Sequence, residues 1–181
     1  KKIFYLLLFI SNFIFSQKKC DYKTLNQIKV DLFNLKEKDQ IQLKNEILTF
    51  KNQEKIFDKA FFNDYRFPTI GVDSLKITEL YETLDFDFLK QHKRKTNKKW
   101  IIDKFSDNRI IEYIEKTKPI DSVKHQKIYS ISLPVFSKDK KYLFIYYEYS
   151  CGLDCGASGI KIYKKVKSKW EYFNQLPLTI S

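Results

Sequence analysis

Glycine is scarce in this chain, four residues in 181, and three of them (Gly152, Gly156 and Gly159) fall inside one string, CGLDCGASG. No glycine-rich phosphate loop opens a helix, no HExxH string occurs, and no serine stands in a nucleophile-elbow string. Histidine is scarcer still, with only His92 and His125, which restricts acid–base chemistry near neutral pH. Arginine is limited to Arg66, Arg94 and Arg109 among 34 basic residues. Sites that read phosphates or base edges favour the planar, bidentate guanidinium, so a nucleic-acid partner is not expected despite the formal charge of +12. The excess reads instead as a solvated lysine-rich surface. Its densest stretch, Lys90 to Lys99, carries the alternative of an anionic-surface patch.

Apolar runs long enough to span a bilayer are also missing. The longest, Ile3 to Phe15, makes about 13 residues and roughly 20 Å of helix against a hydrocarbon core of about 30 Å. Its surroundings have a different meaning: Lys1 and Lys2 precede it, and Ser16 follows before a polar, lysine-rich stretch, which is the layout of a secretory signal peptide. Cleavage is expected near Ser16 and Gln17, leaving residues 17–181 as one exported domain, secreted or periplasmic, with no transmembrane segment. Export brings an oxidising compartment for three cysteines, Cys20, Cys151 and Cys155. Gln17, Lys18 and Lys19 precede Cys20 where a lipobox has small residues, so Cys20 is expected to be unlipidated and unpaired.

Periodicity divides the remainder in two. Leu25, Ile28, Leu32 and Leu35 recur at spacings of three and four, which predicts an amphipathic helix from about Asp21 to Asn34. The stretch from Ile41 to Phe62 reads as mostly helical, although Ile41 and Leu43 alternate like a strand, and a further helix is expected from about Ser74 to His92. After Trp100 the period becomes two. Strands are predicted at Trp100 to Phe105, Arg109 to Ile114, Ile128 to Phe136, Tyr142 to Cys151, Ile160 to Val166 and Trp170 to Leu176. Short connections between them imply antiparallel neighbours. The expected fold is α+β: N-terminal helices (about 21–95) packed on a C-terminal antiparallel meander of four or more strands (about 100–176).

The most specific signal is the cysteine–glycine string. Glycine reaches positive φ without steric cost, so the cluster marks a tightly turned connection. Cys151 and Cys155 admit three readings: a structural disulfide, a redox dithiol, or half of a zinc site completed by Cys20, His92 or His125. Three intervening residues at a strand end suit the redox reading poorly, and no ligand spacing supports a metal. No cofactor is expected. Ser132, Pro134, Phe136, Ser137, Asp139, Tyr146, Tyr147, Cys151, Gly152, Cys155, Gly156, Lys169 and Trp170 follow in an order that resembles the C-terminal block of small secreted proteins of Bacteroidetes-type bacteria. That resemblance covers about a quarter of the chain. It implies the same architecture and export, and it adds no catalytic residue. Asp154 and Ala157 depart from it and make the loop more polar.

Within Tyr142 to Cys151, alternation places Tyr142, Phe144, Tyr146, Glu148 and Ser150 on one face and the odd-numbered residues on the other. The even face is expected to be solvated, with Glu148 facing a lysine across the strand and the tyrosines offering a polar aromatic surface. The expected function is a non-enzymatic binding module for a protein or glycan of the cell envelope. It would present a loop containing Gly152, Asp154, Gly156 and Gly159. The alternative is a hydrolase of an extracellular polymer using Glu148 or Asp154 as acid–base carboxylate.

Overall fold

A computed structural model describes residues 22–49, 99–115, 127–152 and 155–180, so residues 1–16, expected to be a signal peptide, together with Cys20, His92, His125, Asp154 and the helix expected from Ser74 to His92, lie outside the described residues. The first amphipathic pattern does form a helix, α1, residues 22–33, with Leu25, Ile28, Leu32 and Phe33 essentially fully buried. Its end follows from Asn34, which takes φ of 50°. That left-handed turn lets the amide of Leu35 reach the carbonyl of Val30 (2.9 Å) and the amide of Asn34 reach that of Asp31 (3.3 Å), a Schellman closure in which asparagine stands in for glycine. Leu35, buried at the exit, supplies the usual apolar contact.

The strands are β1 (Ile41–Leu43), β2 (Ile110–Glu112), β3 (Ile128–Ile131), β4 (Val135–Phe136), β5 (Tyr142–Ser150), β6 (Gly156–Val166) and β7 (Lys169–Ile180). They form one seven-stranded sheet in the order β2-β1-β3-β5-β6-β7, with β4 also pairing with β5. The C-terminal part is the expected antiparallel meander, and β5 pairs antiparallel on both sides. Three strands run differently from expectation. Residues 41–49, read as helix, carry β1 and isolated bridges at Glu46 and Leu48. β1 lies parallel to both β2 and β3, so the alternating Ile41 and Leu43 are recruited between two neighbours distant in sequence. Tertiary pairing overrides the weaker helical pattern there.

The predicted strand from Trp100 to Phe105 is instead a single 3-10 turn, Ile102–Lys104, closed by Lys104 N to Ile101 O and Phe105 N to Ile102 O (3.1 and 2.9 Å). Trp100 and Phe105 still serve the core, packing edge-on against each other and against Tyr22 of α1. The expected hairpin across Ser106 to Asn108 does not form: β2 pairs with β1 instead, and in the turn Asp107 binds Arg109 through Nε and Nη2 (2.9 and 2.8 Å) while Arg109 Nη1 reaches Lys36 O (2.9 Å). This fork ties the turn to the α1–β1 connection, and the Arg109 hydrogen bond, opposed by burial, holds the Asp107 carboxyl down to about 2. The run Ile128 to Phe136 splits into β3 and β4 around Pro134, which has no amide to give a ladder.

Two apolar clusters sandwich the sheet. On the odd face of β5, Leu143, Ile145 and Tyr147 join Tyr129, Ile131 and Tyr163 beneath α1. On the even face, Tyr142, Phe144 and Tyr146 join Val135, Ile160, Ile162 and Leu176. The even face is therefore buried along Tyr142 to Tyr146, correcting the solvated surface expected from alternation. Residues 142–147 contain no charged side chain, so neither face of that segment favours water.

Candidate functional site

At one end of the sheet, β5 turns into β6 through the cysteine string. Cys151 and Cys155 are disulfide-bonded with Cα atoms 5.1 Å apart, and the amide of Cys151 donates to the carbonyl of Cys155 (2.8 Å). A bridge over a loop this short stabilises by about 2 kcal/mol in the chain-entropy model, so its main effect is to hold the turn's shape. Gly152 sits at φ of +134°, a conformation side chains disfavour. The other two glycines do different work, because β6 begins at Gly156 and extends the ladder four residues beyond the expected start at Ile160. Gly156 pairs with Ser150 as an ordinary strand residue. Gly159 is needed for close approach: a Cβ there would stand 2.7 Å from Leu176 O and 3.1 Å from the Tyr147 hydroxyl.

That missing side chain lets Tyr147 lie across β6, and a tyrosine cluster follows from it. Tyr149 stacks with Tyr147 (centroids 6.5 Å, planes 6° apart) and packs on Tyr129 (5.3 Å). Tyr129 and Tyr147 are buried, whereas Tyr149 is half-buried and reaches solvent beside the disulfide turn. Lys127 lies over the Tyr149 ring at 5.9 Å. Tyr129 donates its hydroxyl hydrogen to Phe33 O at the end of α1 (3.0 Å). Burial, followed by the neighbouring Tyr149 phenol, pushes the Tyr147 phenol up to about 12.

Lys161 was not singled out by sequence, and it anchors this arrangement. Only 3% exposed, its ammonium donates to Asp31 O and to Asn34 Oδ1 (2.9 Å) and lies 5.6 Å from the Tyr147 ring centre. The carbonyl end of a helix carries partial negative charge, which suits a cation in a site with no carboxylate hydrogen-bonded to it. Burial pulls the Lys161 ammonium down to about 8, with Asp31 opposing and Lys127 adding to the fall. Its sequence context, alternating with isoleucines, gave parity with Tyr163 but no sign that α1 would end above it.

Glu148 lies at the exposed end of β5 and accepts a hydrogen bond from the Tyr146 hydroxyl. Its cross-strand neighbours are Ser130 and Ser158, not the expected lysine. The structure thus gathers Cys151, Gly152, Cys155, Gly156 and Gly159 at one sheet end with Glu148 nearby on the opposite face of β5 from Tyr149. Among the described residues, no group of three His, Cys, Asp or Glu side chains is placed to hold a metal ion, and no helix is long and apolar enough to cross a membrane. No protein-family model, curated protein or solved structure matches this chain.

Proposed function

We propose that this is an exported binding module whose contact surface is the disulfide end of the sheet, and that its ligand is a glycan or protein of the cell envelope. One observation carries the reading: Tyr149, largely buried but still open to solvent, is held in place by packing on two buried tyrosines, next to a turn fixed by a disulfide. An aromatic side chain whose position is set before binding loses little conformational freedom on contact, which is how anchor residues concentrate affinity. Lys127 at its rim adds hydrogen-bonding capacity without closing the site. The export signal in the sequence and the resemblance to secreted proteins support the compartment.

Amide chemical shifts of the oxidised protein, followed during titration with solubilised envelope polysaccharide and then with detergent-extracted envelope proteins, test this directly. Shifts centred on Tyr149, Gly152 and Ala157, lost in Tyr149→Ala, are expected with one of the two ligands. Shifts confined to other parts of the sheet would overturn the reading.

A further inference from the structure

The opposite end of the sheet is built from two adjacent turns, and both are dominated by lysine. The β4–β5 turn carries Lys138, Lys140 and Lys141, and the β6–β7 hairpin carries Lys164, Lys165, Lys167 and Lys169, all of them exposed. The two turns are joined side by side: Lys165 N donates to Lys141 O (2.8 Å), and Tyr142 pairs with Lys164. Against these seven lysines stand the carboxylates of Asp139 and Glu171. Asp139 is engaged inside its own turn, accepting from Ser137 Oγ (2.6 Å) and Lys141 N (3.0 Å) and pairing with the Lys141 ammonium at 3.2 Å.

Backbone geometry singles out the same place. Lys140 and Lys167 both take φ of 56°, a left-handed conformation that side chains disfavour and that glycine or asparagine accepts readily. With Asn34 they are the described non-glycine residues at positive φ, and Asn34 is the residue type suited to it. Each turn therefore places a lysine where glycine or asparagine would be less strained. Aromatic rings lie under the lysines on both faces of the sheet: Trp170, half-buried, packs on Phe136 (5.7 Å) under Lys165 (5.8 Å) on the α1 face, and Lys164 lies over Tyr142 and Phe173 on the other. Val166 is 39% exposed beside them.

We propose that this lysine tip docks on an anionic lipid bilayer surface. Ammonium groups on flexible stems around a tryptophan and an exposed aliphatic residue match the headgroup region, where lysines meet lipid phosphates and amphipathic rings settle. The tip contains no arginine, so it lacks the planar fork that reads a phosphate backbone or base edges. Each lysine near an anionic membrane contributes roughly a five-fold gain in partitioning, so several acting together give measurable binding without an inserted helix. Docking here would point the disulfide end away from the membrane, since β5 runs from one end to the other.

Co-sedimentation of the folded chain with phosphatidylcholine vesicles, alone or doped with phosphatidylglycerol, tests the proposal. Binding to the doped vesicles only, falling steeply as salt is added, is expected. The double variant Lys140→Asn/Lys167→Asn should lose binding by about 25-fold, two lysines at five-fold each, while its melting temperature rises because the strained turns relax. That opposite movement separates a surface role from a structural one, and Lys138→Glu/Lys169→Glu, away from positive φ, should abolish binding with the fold unchanged. Equal binding to neutral vesicles, undiminished binding by either variant, or tighter binding to duplex DNA than to the doped vesicles at the same salt would overturn it.

Discussion

Two glycines of the cysteine string act for different reasons, and substitution distinguishes them. At Gly159 an added methyl meets the backbone carbonyl of Leu176 at 2.7 Å, so Gly159→Ala should destabilise by about 1–3 kcal/mol, the range for overpacking. At Gly152 nothing lies within 4 Å, and only the φ of +134° opposes a side chain, so Gly152→Ala should cost roughly 1 kcal/mol. Urea denaturation of both variants ranks them; the reverse order would show that Tyr147 does not depend on Gly159. Lys161 makes a pH prediction. Its folded value, about 8, lies below the 10.5 of an exposed lysine, so between these the unfolded chain binds more protons and stability rises with pH. Burial raises the phenols of Tyr129, Tyr147 and Tyr163 above their usual 10.0, so their contribution is complete below that pH and declines above it. Denaturation midpoints should climb from pH 8 toward 10 and then turn over, and Lys161→Met should remove the climb. The glycine cluster was legible in sequence, but Lys161 was not, because parity along a strand does not say where a helix ends.

Among the elements, legibility followed how much of each was decided locally. α1 has a single apolar face and its expected bounds agree within a residue or two, and β5 stands where alternation puts it, while β6 and β7 contain their expected runs and extend four residues further at the disulfide end of the sheet. β1 reads as helix in the sequence, and β2 reads as a strand but with the wrong neighbour, because each has only three residues and they pair parallel with each other across a long sequence separation. The solvated even face of β5 failed for another reason. Residues 142–147 are apolar or aromatic throughout, so alternation does not distinguish a face, and only Glu148 marks where water begins. The disulfide turn gives this scale its prediction. Replacing Cys151 and Cys155 by serine should lower stability by about 2 kcal/mol or less, leave far-ultraviolet circular dichroism unchanged, and weaken ligand binding at Tyr149. Loss of the sheet would show that the bridge holds the fold rather than the shape of one turn.

Taken as a whole, the molecule has a sheet with chemically opposite ends. One end carries the disulfide and the tyrosine cluster, the other carries lysines over aromatic rings, and α1 and the 99–109 segment cover the odd face between them. Neither end was visible as a unit in sequence, since Tyr129, Tyr149, Lys127 and Lys161 come from three strands and a connection, and the two lysine turns are more than 20 residues apart. The measurement that addresses the central claim most directly is photocrosslinking in the native envelope, with p-benzoylphenylalanine placed at Tyr149 or, as control, at Ile114, which is 67% exposed. Mass spectrometry of the irradiated protein should show a defined envelope adduct from position 149 and none from position 114. Adducts from both positions alike, or from position 114 alone, would contradict a binding surface at the disulfide end.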